Sequence, residues 1–152
     1  MDARIVNALL AAVISTFKQV MQTEPKIGKP QVVKEIEPKY SVVTVLGFVG
    51  DIEGNMVYSF NEDTGVEIVS KMMGMPYPSL DELALSALGE LGNMTTGALA
   101  MNLEKIGYKV DITPPTVITG KEIKITAEGV ILKLPVNLFK PEDVELNLIV
   151  KR

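Results

Sequence analysis

The chain contains neither cysteine nor histidine, and these two absences exclude much of enzyme chemistry. Without cysteine there is no disulfide, no thiolate nucleophile and no cysteine-ligated zinc. Without histidine there is no Ser-His-Asp triad, no phosphohistidine intermediate and no imidazole metal ligand. Carboxylates, amides, hydroxyls, lysines and the backbone remain. We therefore expect an enzyme built from this chain to take its metal or its base from a partner.

The charge of the chain also limits its partners. It has 15 lysines and arginines against 19 aspartates and glutamates, a formal net charge of −4 at pH 7. A nucleic-acid-binding surface needs clustered basic residues, and the sequence has no such cluster. The longest apolar stretches, such as Ile5 to Ile14, are too short to cross a bilayer, and the sequence around Asp2 and Arg4 lacks the basic start of a signal peptide. We predict a cytoplasmic protein that binds neither nucleic acid nor membrane.

Length and hydrophobic periodicity predict one domain over residues 1–152 with three helices. Pro25 is expected to end the first helix, Gly74 the second and Gly107 the third. Ser79 and Glu82 have the spacing of a capping box at the start of the third. The predicted helices run from Ile5 to Met21, from an Asn61 cap to Gly74, and from Ser79 to Ile106.

Runs of β-branched residues and period-two alternation predict the strands. Ile123, Ile125 and Ala127 alternate with polar neighbours, and Glu128-Gly129 is a candidate hairpin turn. The predicted strands are Val32 to Glu37, Val42 to Val49, Met56 to Phe60, Val110 to Ile112, Val117 to Thr119, Glu122 to Ala127, Val130 to Val136 and Val144 to Val150. The fold class expected is α+β, a mainly antiparallel sheet with two long helices and one short helix packed on one face.

The long third helix carries an unusual set of polar residues. At about 100° per residue, Glu90 lies about 40° and Asn93 about −20° from Ser86, so the three share one face. Glu82 and Gly97 extend that face in the two directions. A solvated polar face explains the same pattern, and spacing alone does not choose between that explanation and a functional site.

Three glycines interrupt this helix, and each costs roughly 1 kcal/mol relative to alanine. Gly89 and Gly97 lie on or beside the polar face, where a small residue would let a partner approach the helix backbone. Tight packing on the sheet is the alternative explanation, and for Gly92, on the far side, it is the preferred one.

Residues 86 to 93, Ser-Ala-Leu-Gly-Glu-Leu-Gly-Asn, resemble the motif of the CheC/CheX/FliY family of bacterial chemotaxis phosphatases. Members carry Asp or Ser, three residues, Glu, two residues and Asn, followed by a proline about 22 residues later. Pro114 and Pro115 arrive at or just before that distance. The stretch from Leu80 to Thr116 is similar to the CheX branch in particular, and the likeness extends over nearly the whole chain.

The resemblance implies a phosphatase acting on the phosphoaspartate of a CheY-type receiver domain. Asn93 would orient the attacking water and Glu90 would pair with the receiver's lysine, with Ser86, Gly89, Gly97 and Pro115 in supporting or partner-binding roles. The protein would have no metal site or cofactor of its own, because Mg²⁺ comes with the receiver. A homodimer through sheet edges is also expected.

Some relatives carry a second site on the first helix. When Asn7 is aligned with Asn93, Arg4 falls where Glu90 would be, so we predict a single active site. We also expect the chain to lack the additional C-terminal binding module that the resemblance implies for the FliY branch.

Two other functions remain open from the sequence. One is a non-catalytic adaptor or flagellar-switch module that binds a receiver without hydrolysing its phosphate. The other is a purely structural dimer module in which the apolar strand Val42 to Val49 pairs across subunits through a sheet edge.

Overall fold

The computed structural model of the protein describes residues 1–37 and 39–151. Within them an eight-stranded antiparallel sheet carries three helices on one face, which confirms the predicted α+β class. The helices are α1 (Ala3–Met21), α2 (Glu62–Met73) and α3 (Glu82–Lys105). The strands are β1 (Lys26–Ile27), β2 (Gln31–Val33), β3 (Val42–Gly50), β4 (Gly54–Phe60), β5 (Val110–Ile112), β6 (Thr116–Thr119), β7 (Val130–Asn137) and β8 (Val144–Val150).

The sheet has the order β1-β7-β8-β4-β3-β5, with β2 also pairing with β7 and β6 also pairing with β3. Its centre is built from four long strands, and β3 and β4 form a hairpin in which Val42 lies opposite Phe60 and Phe48 opposite Gly54. Both edges of the sheet consist of short strands. Short edge strands limit unwanted pairing with other chains.

Helix α1 packs against α3 and α2, and its apolar stripe includes the buried Leu9, Val13 and Phe17. It begins two residues before its predicted start and ends, as predicted, at Met21. By length and hydropathy it is the one helix in the described residues that could span a membrane. Its apolar side chains are packed in the core, so burial inside the protein accounts for that hydropathy.

The predicted strand from Glu122 to Ala127 and its hairpin turn at Glu128-Gly129 are wrong. This segment makes only an isolated bridge between Ile125 and Ile36, and β2 is likewise shorter than the predicted strand from Val32 to Glu37. The reason is that β8 occupies one side of β7 while β1 and β2 occupy the other. The segment lies over the sheet instead, with Ile123, Ile125 and Ala127 packed on a second apolar cluster.

The predicted use of Val42 to Val49 as an edge for dimer pairing is also wrong. Strand β3 is paired with β4 on one side and with β5 and β6 on the other. Between these two short strands, Gly47 exchanges hydrogen bonds with Thr113. The backbone of β3 is therefore satisfied within the chain, and another subunit cannot add to it.

The capping box predicted at Ser79 and Glu82 does not form. Helix α3 begins at Glu82, and the carboxylate of Asp81 accepts a hydrogen bond from the Ala84 backbone N–H at 2.9 Å. The hydroxyl of Tyr77 donates to the same carboxylate. A charged acceptor forms the stronger cap, so Asp81 takes the position that the spacing assigned to Ser79.

Helix α2 has the predicted position with a different cap. Asn61 stands at its N-cap position, but the side-chain oxygen accepts from the Ser41 backbone N–H and makes no bond to the helix. Gly74 ends the helix in the left-handed conformation, at φ 72°, as its residue type predicts.

Candidate active site

The site is built on α3, and the position of this helix on the sheet is closely determined. Gly92 faces the sheet, where an added Cβ would come within 3.0 Å of Leu46 and 3.2 Å of Thr44. The hydroxyl of Tyr58 contacts the Thr96 hydroxyl at 2.6 Å and donates to the Gly92 carbonyl at 3.3 Å. Close packing on the sheet therefore favours a glycine at this position, as predicted. Burial raises the pKa of Tyr58 far above its ordinary value.

The far end of α3 is closed by a Schellman motif. The backbone N–H of Tyr108 donates to the Leu103 carbonyl and that of Gly107 to the Glu104 carbonyl. Gly107 has φ 99°, which favours glycine, and the prediction that it stops the helix is confirmed. Both ends of α3 are thus held, and residues along it keep a constant orientation relative to the sheet.

The polar residues predicted for the site lie on the outer side of α3. Ser86 and Glu90 are exposed, and Asn93 is half-buried. Within residues 1–37 and 39–151, the side chains of Glu90 and Asn93 have no hydrogen-bond or ion-pair partner. By contrast, the nearby Thr95 hydroxyl donates to the Leu91 carbonyl. The structure therefore presents a carboxylate and a carboxamide, one helical turn apart, that are free to bind another molecule.

Gly89 does not have the role suggested for it. It is buried, and a Cβ there would lie 3.4 Å from Pro115 and 3.5 Å from Val117. These are ordinary contact distances, so a Cβ would fit, and the surface at Gly89 is covered from within the chain by Pro115 and Val117. Gly97 is different, because a Cβ there would meet only Ile112, at 3.9 Å.

The contact at Gly89 brings Pro115 beside the outer face of α3. The loop that carries Pro114 and Pro115 is tied to β3 through Thr113, whose hydroxyl accepts from the Gly47 N–H at 2.7 Å and whose N–H donates to the Gly47 carbonyl at 2.9 Å. Sequence reasoning missed Thr113 and Tyr58, because neither belongs to a local pattern. Their partners are 66 and 38 residues away.

The corresponding outer face of α1 lacks this free pair. Arg4 stands where the resemblance would require a glutamate, and its guanidinium is paired with Asp2 at 2.9 Å. Asn7 is exposed but has no acidic residue three positions before it. In the described part of the chain there is also no group of three or more acidic side chains placed to hold a metal ion.

Comparisons with known proteins identify the fold and the family of the chain. The fold matches solved structures of CheC-like and CheX proteins. A chemotaxis protein CheX from Vibrio vulnificus has a TM-score of 0.86 and 28% identity, covering 97% of this chain and 99% of that one. A CheX from Borrelia burgdorferi, solved in complex with CheY, BeF₃ and Mg²⁺, has a TM-score of 0.84 and 27% identity, covering 97% of both chains.

Sequence comparison is more specific. The family model for chemotaxis phosphatase CheX matches residues 42–134. A CheY-P phosphatase CheX from Thermotoga maritima is 58% identical over 152 residues, covering 99% of this chain and 98% of that protein. The chain belongs to the CheX family of chemotaxis phosphatases. This membership confirms the predicted family and the predicted enzyme class.

Proposed function

We propose that this protein accelerates hydrolysis of the phosphoaspartate on a CheY-type receiver domain. The observation that carries the proposal is the unpartnered pair of Glu90 and Asn93 on the outer face of α3. The names of two relatives support the choice of substrate, since one is a CheY-P phosphatase and the other was solved bound to CheY. The absence of histidine and cysteine agrees with a site that relies on its partner for metal chemistry.

Asn93 would act on the water. A carboxamide both accepts and donates hydrogen bonds without titrating, so it can hold a water in line with the phosphorus of the acyl phosphate. The water oxygen forms a bond to phosphorus while the bond from phosphorus to the aspartate oxygen breaks. The aspartate leaves as a carboxylate and the phosphate carries the protons of the water. Positioning of this kind supplies much of the acceleration in phosphoryl transfer.

Glu90 would dock the receiver. Its exposed carboxylate can form a charge-assisted hydrogen bond with the lysine at the receiver's phosphorylation site. Mg²⁺ would come with the receiver, as its presence in the Borrelia complex with CheY suggests. Ser86 and Gly97 extend the same face and Pro115 borders it, so we assign them supporting roles in receiver contact.

Replacing Asn93 tests the proposal directly. The release of phosphate from the phosphorylated receiver should slow by about a hundredfold in Asn93→Ala, because the water loses its orientation. Binding to the receiver should remain. The matched control is Asn7→Ala, an exposed asparagine on α1 that should leave the rate unchanged. Unaltered phosphate release by Asn93→Ala would contradict the proposed mechanism.

The same assay separates the enzyme from the non-catalytic alternative. An adaptor or flagellar-switch module would bind the phosphorylated receiver and leave its lifetime unchanged. Timing phosphate loss with and without the wild-type protein distinguishes these outcomes, since only an enzyme shortens the lifetime at substoichiometric concentration.

We further propose a single active site, a single domain over residues 1–152 and a cytoplasmic homodimer. With β3 fully paired, dimer contact through a sheet edge would use β1 and β2 at one edge or β5 and β6 at the other. Val32 on β2 is 67% exposed and is a candidate for that contact. Light scattering of the wild type and of Val32→Asp would test this assignment.

A further inference from the structure

A groove of about 640 Å³ runs between α1 and α3 beside the proposed active site. Its lining includes small residues of both helices, Ala12 and Thr16 from α1 and Gly97 and Ala98 from α3. Two methionines, Met94 and Met101, also line it. They are 37% and 65% exposed. No lysine, arginine, aspartate or glutamate lines the groove among the described residues.

The groove is continuous with the surface that carries Glu90 and Asn93. Met94 follows Asn93 directly, and Gly97 lies one turn further along the same helix. On the helical wheel Met94 and Met101 lie at about 80° and 60° from Ser86, on the side of α3 that faces α1. Gly89 and Pro115 lie on the opposite side. A molecule that contacts Asn93 therefore has the groove on one side and, on the other, the loop that carries Pro114 and Pro115.

A stable complex with a receiver must bury more of this protein than the three polar residues, so the receiver must also cover one of these two sides. A specific protein interface buries roughly 800 Å² on each partner, far more than three polar side chains supply. Flexible, polarizable methionines above a floor of small residues suit contact with apolar side chains of a partner. A receiver held at Asn93 by its phosphoaspartate would bring its adjoining surface over the groove.

We infer that this groove is the apolar half of the receiver-docking surface and sets affinity for the phosphorylated receiver, whereas Asn93 sets the rate of hydrolysis. The inference rests on the proposed function, since the receiver is its occupant. The groove would take apolar side chains that border the receiver's phosphorylation site. Because its lining is uncharged, its contribution to binding should not depend on ionic strength.

Steady-state kinetics of receiver dephosphorylation provide the test. The full chain is used as the enzyme, and the concentration of the phosphorylated receiver is varied. Ser15→Trp fills the groove from an exposed position of α1, and Met101→Asp places a charge at its most exposed methionine. Each should raise KM about tenfold and leave kcat within twofold. Lys18→Trp is the matched control, an exposed α1 residue outside the groove lining. It should change neither constant.

The outcomes distinguish this inference from the proposed function. Unchanged KM in both groove variants would overturn the groove as a docking surface, whatever Asn93→Ala does. A raised KM in them together with unchanged kcat in Asn93→Ala would overturn the mechanism and keep the docking surface. Met101→Asp alters an exposed side chain, so it tests the inference even if Ser15→Trp disturbs helix packing.

Two further measurements exclude other occupants of the groove. If the groove variants change sedimentation of the protein alone and leave KM unchanged, the groove joins two copies of this chain and the inference fails. The KM increase in Ser15→Trp, which adds no charge, should also be the same at low and high salt. An increase that disappears at high salt would contradict an apolar contact.

Discussion

Helices α1 and α3 pack side by side on one face of the sheet, and each begins with an aspartate whose carboxylate accepts a backbone hydrogen bond in the first turn. Each also buries leucines in the same core. Their outer faces differ. On α1 the charge of Arg4 is neutralised by Asp2, whereas on α3 Glu90 and Asn93 have no partner in the part of the chain that the structure describes. The buried side and the cap of a helix thus establish the fold, and the outer side distinguishes a scaffold helix from a candidate active-site helix.

The largest effect on stability should come from the buried sides, where the two helices are expected to be equivalent. Leu9 of α1 and Leu99 of α3 are 0% and 1% exposed. Leu9→Ala and Leu99→Ala should each lower the free energy of unfolding by about 2–5 kcal/mol, because each leaves a cavity in one shared core. Urea denaturation measures both. A loss below about 1 kcal/mol in only one variant would show that the helices do not share a core.

A smaller and more selective effect is expected at two glycines of α3. Gly92→Leu should lower the free energy of unfolding by about 1–3 kcal/mol, because Leu46 and Thr44 already close the space around Gly92. Gly97→Leu should not destabilise the protein and should raise the free energy of unfolding by up to about 1 kcal/mol, because leucine is the better helix former and because only Ile112 lies within 4 Å of an added Cβ, at 3.9 Å. It should instead raise KM for the phosphorylated receiver.

Thermal denaturation and receiver kinetics of the two glycine variants test whether Gly92 serves stability and Gly97 serves receiver binding. If Gly97→Leu binds the receiver normally, the outer face of α3 near Gly97 is not part of the docking surface. If Gly92→Leu is as stable as the wild type, the contact of α3 with the sheet is looser than the structure indicates.

The smallest effect on the free energy of unfolding should come from the N-caps of α1 and α3, and this effect should depend on pH. The hydrogen bond from the Ala84 backbone, and then that from Tyr77, lowers the pKa of Asp81. On α1, the side-chain hydrogen bond from Arg4 lowers the pKa of Asp2. A carboxyl with a lowered pKa stabilises the folded state above its unfolded pKa, about 3.9, and loses this contribution as pH falls through its folded pKa.

Asp2→Ala and Asp81→Ala should therefore destabilise the protein at pH 7, and the difference from the wild type should narrow below about pH 4. Urea midpoints measured across this range provide the comparison. A difference that stays constant with pH would mean that the caps act without their charge.

Much of the candidate site was predictable because it depends on local sequence. Ser86, Glu90, Asn93 and Gly97 were placed on one face by helical periodicity alone, and the structure confirms that all four reach the outer side of α3. The spacing between the motif asparagine and a later proline in the family suggested the loop that carries Pro114 and Pro115. Its contact with Gly89 was not predictable, because helix geometry places Gly89 beside the polar face without saying what covers it.

Some features of the strands were likewise predictable from local sequence, and others were not. The sequence predicted β8, Val144–Val150, to the residue, since the apolar Val144, Leu146 and Leu148 alternate with the polar Glu145 and Asn147. It also predicted which residues of 122–127 face the core. It could not predict that this segment stays outside the sheet, because alternation reports one buried face and carries no information about a free neighbouring strand edge.

Periodicity, caps and breakers in the sequence by themselves determined the helices, most strands and the side of α3 on which Glu90 and Asn93 lie, because these depend on residues within a few positions of one another. Only the tertiary structure decided that β3 has no free edge, that Gly89 is covered by Pro115 and that a groove opens between α1 and α3. Those features depend on contacts between segments far apart in the chain, where packing and the competition for backbone partners determine the result.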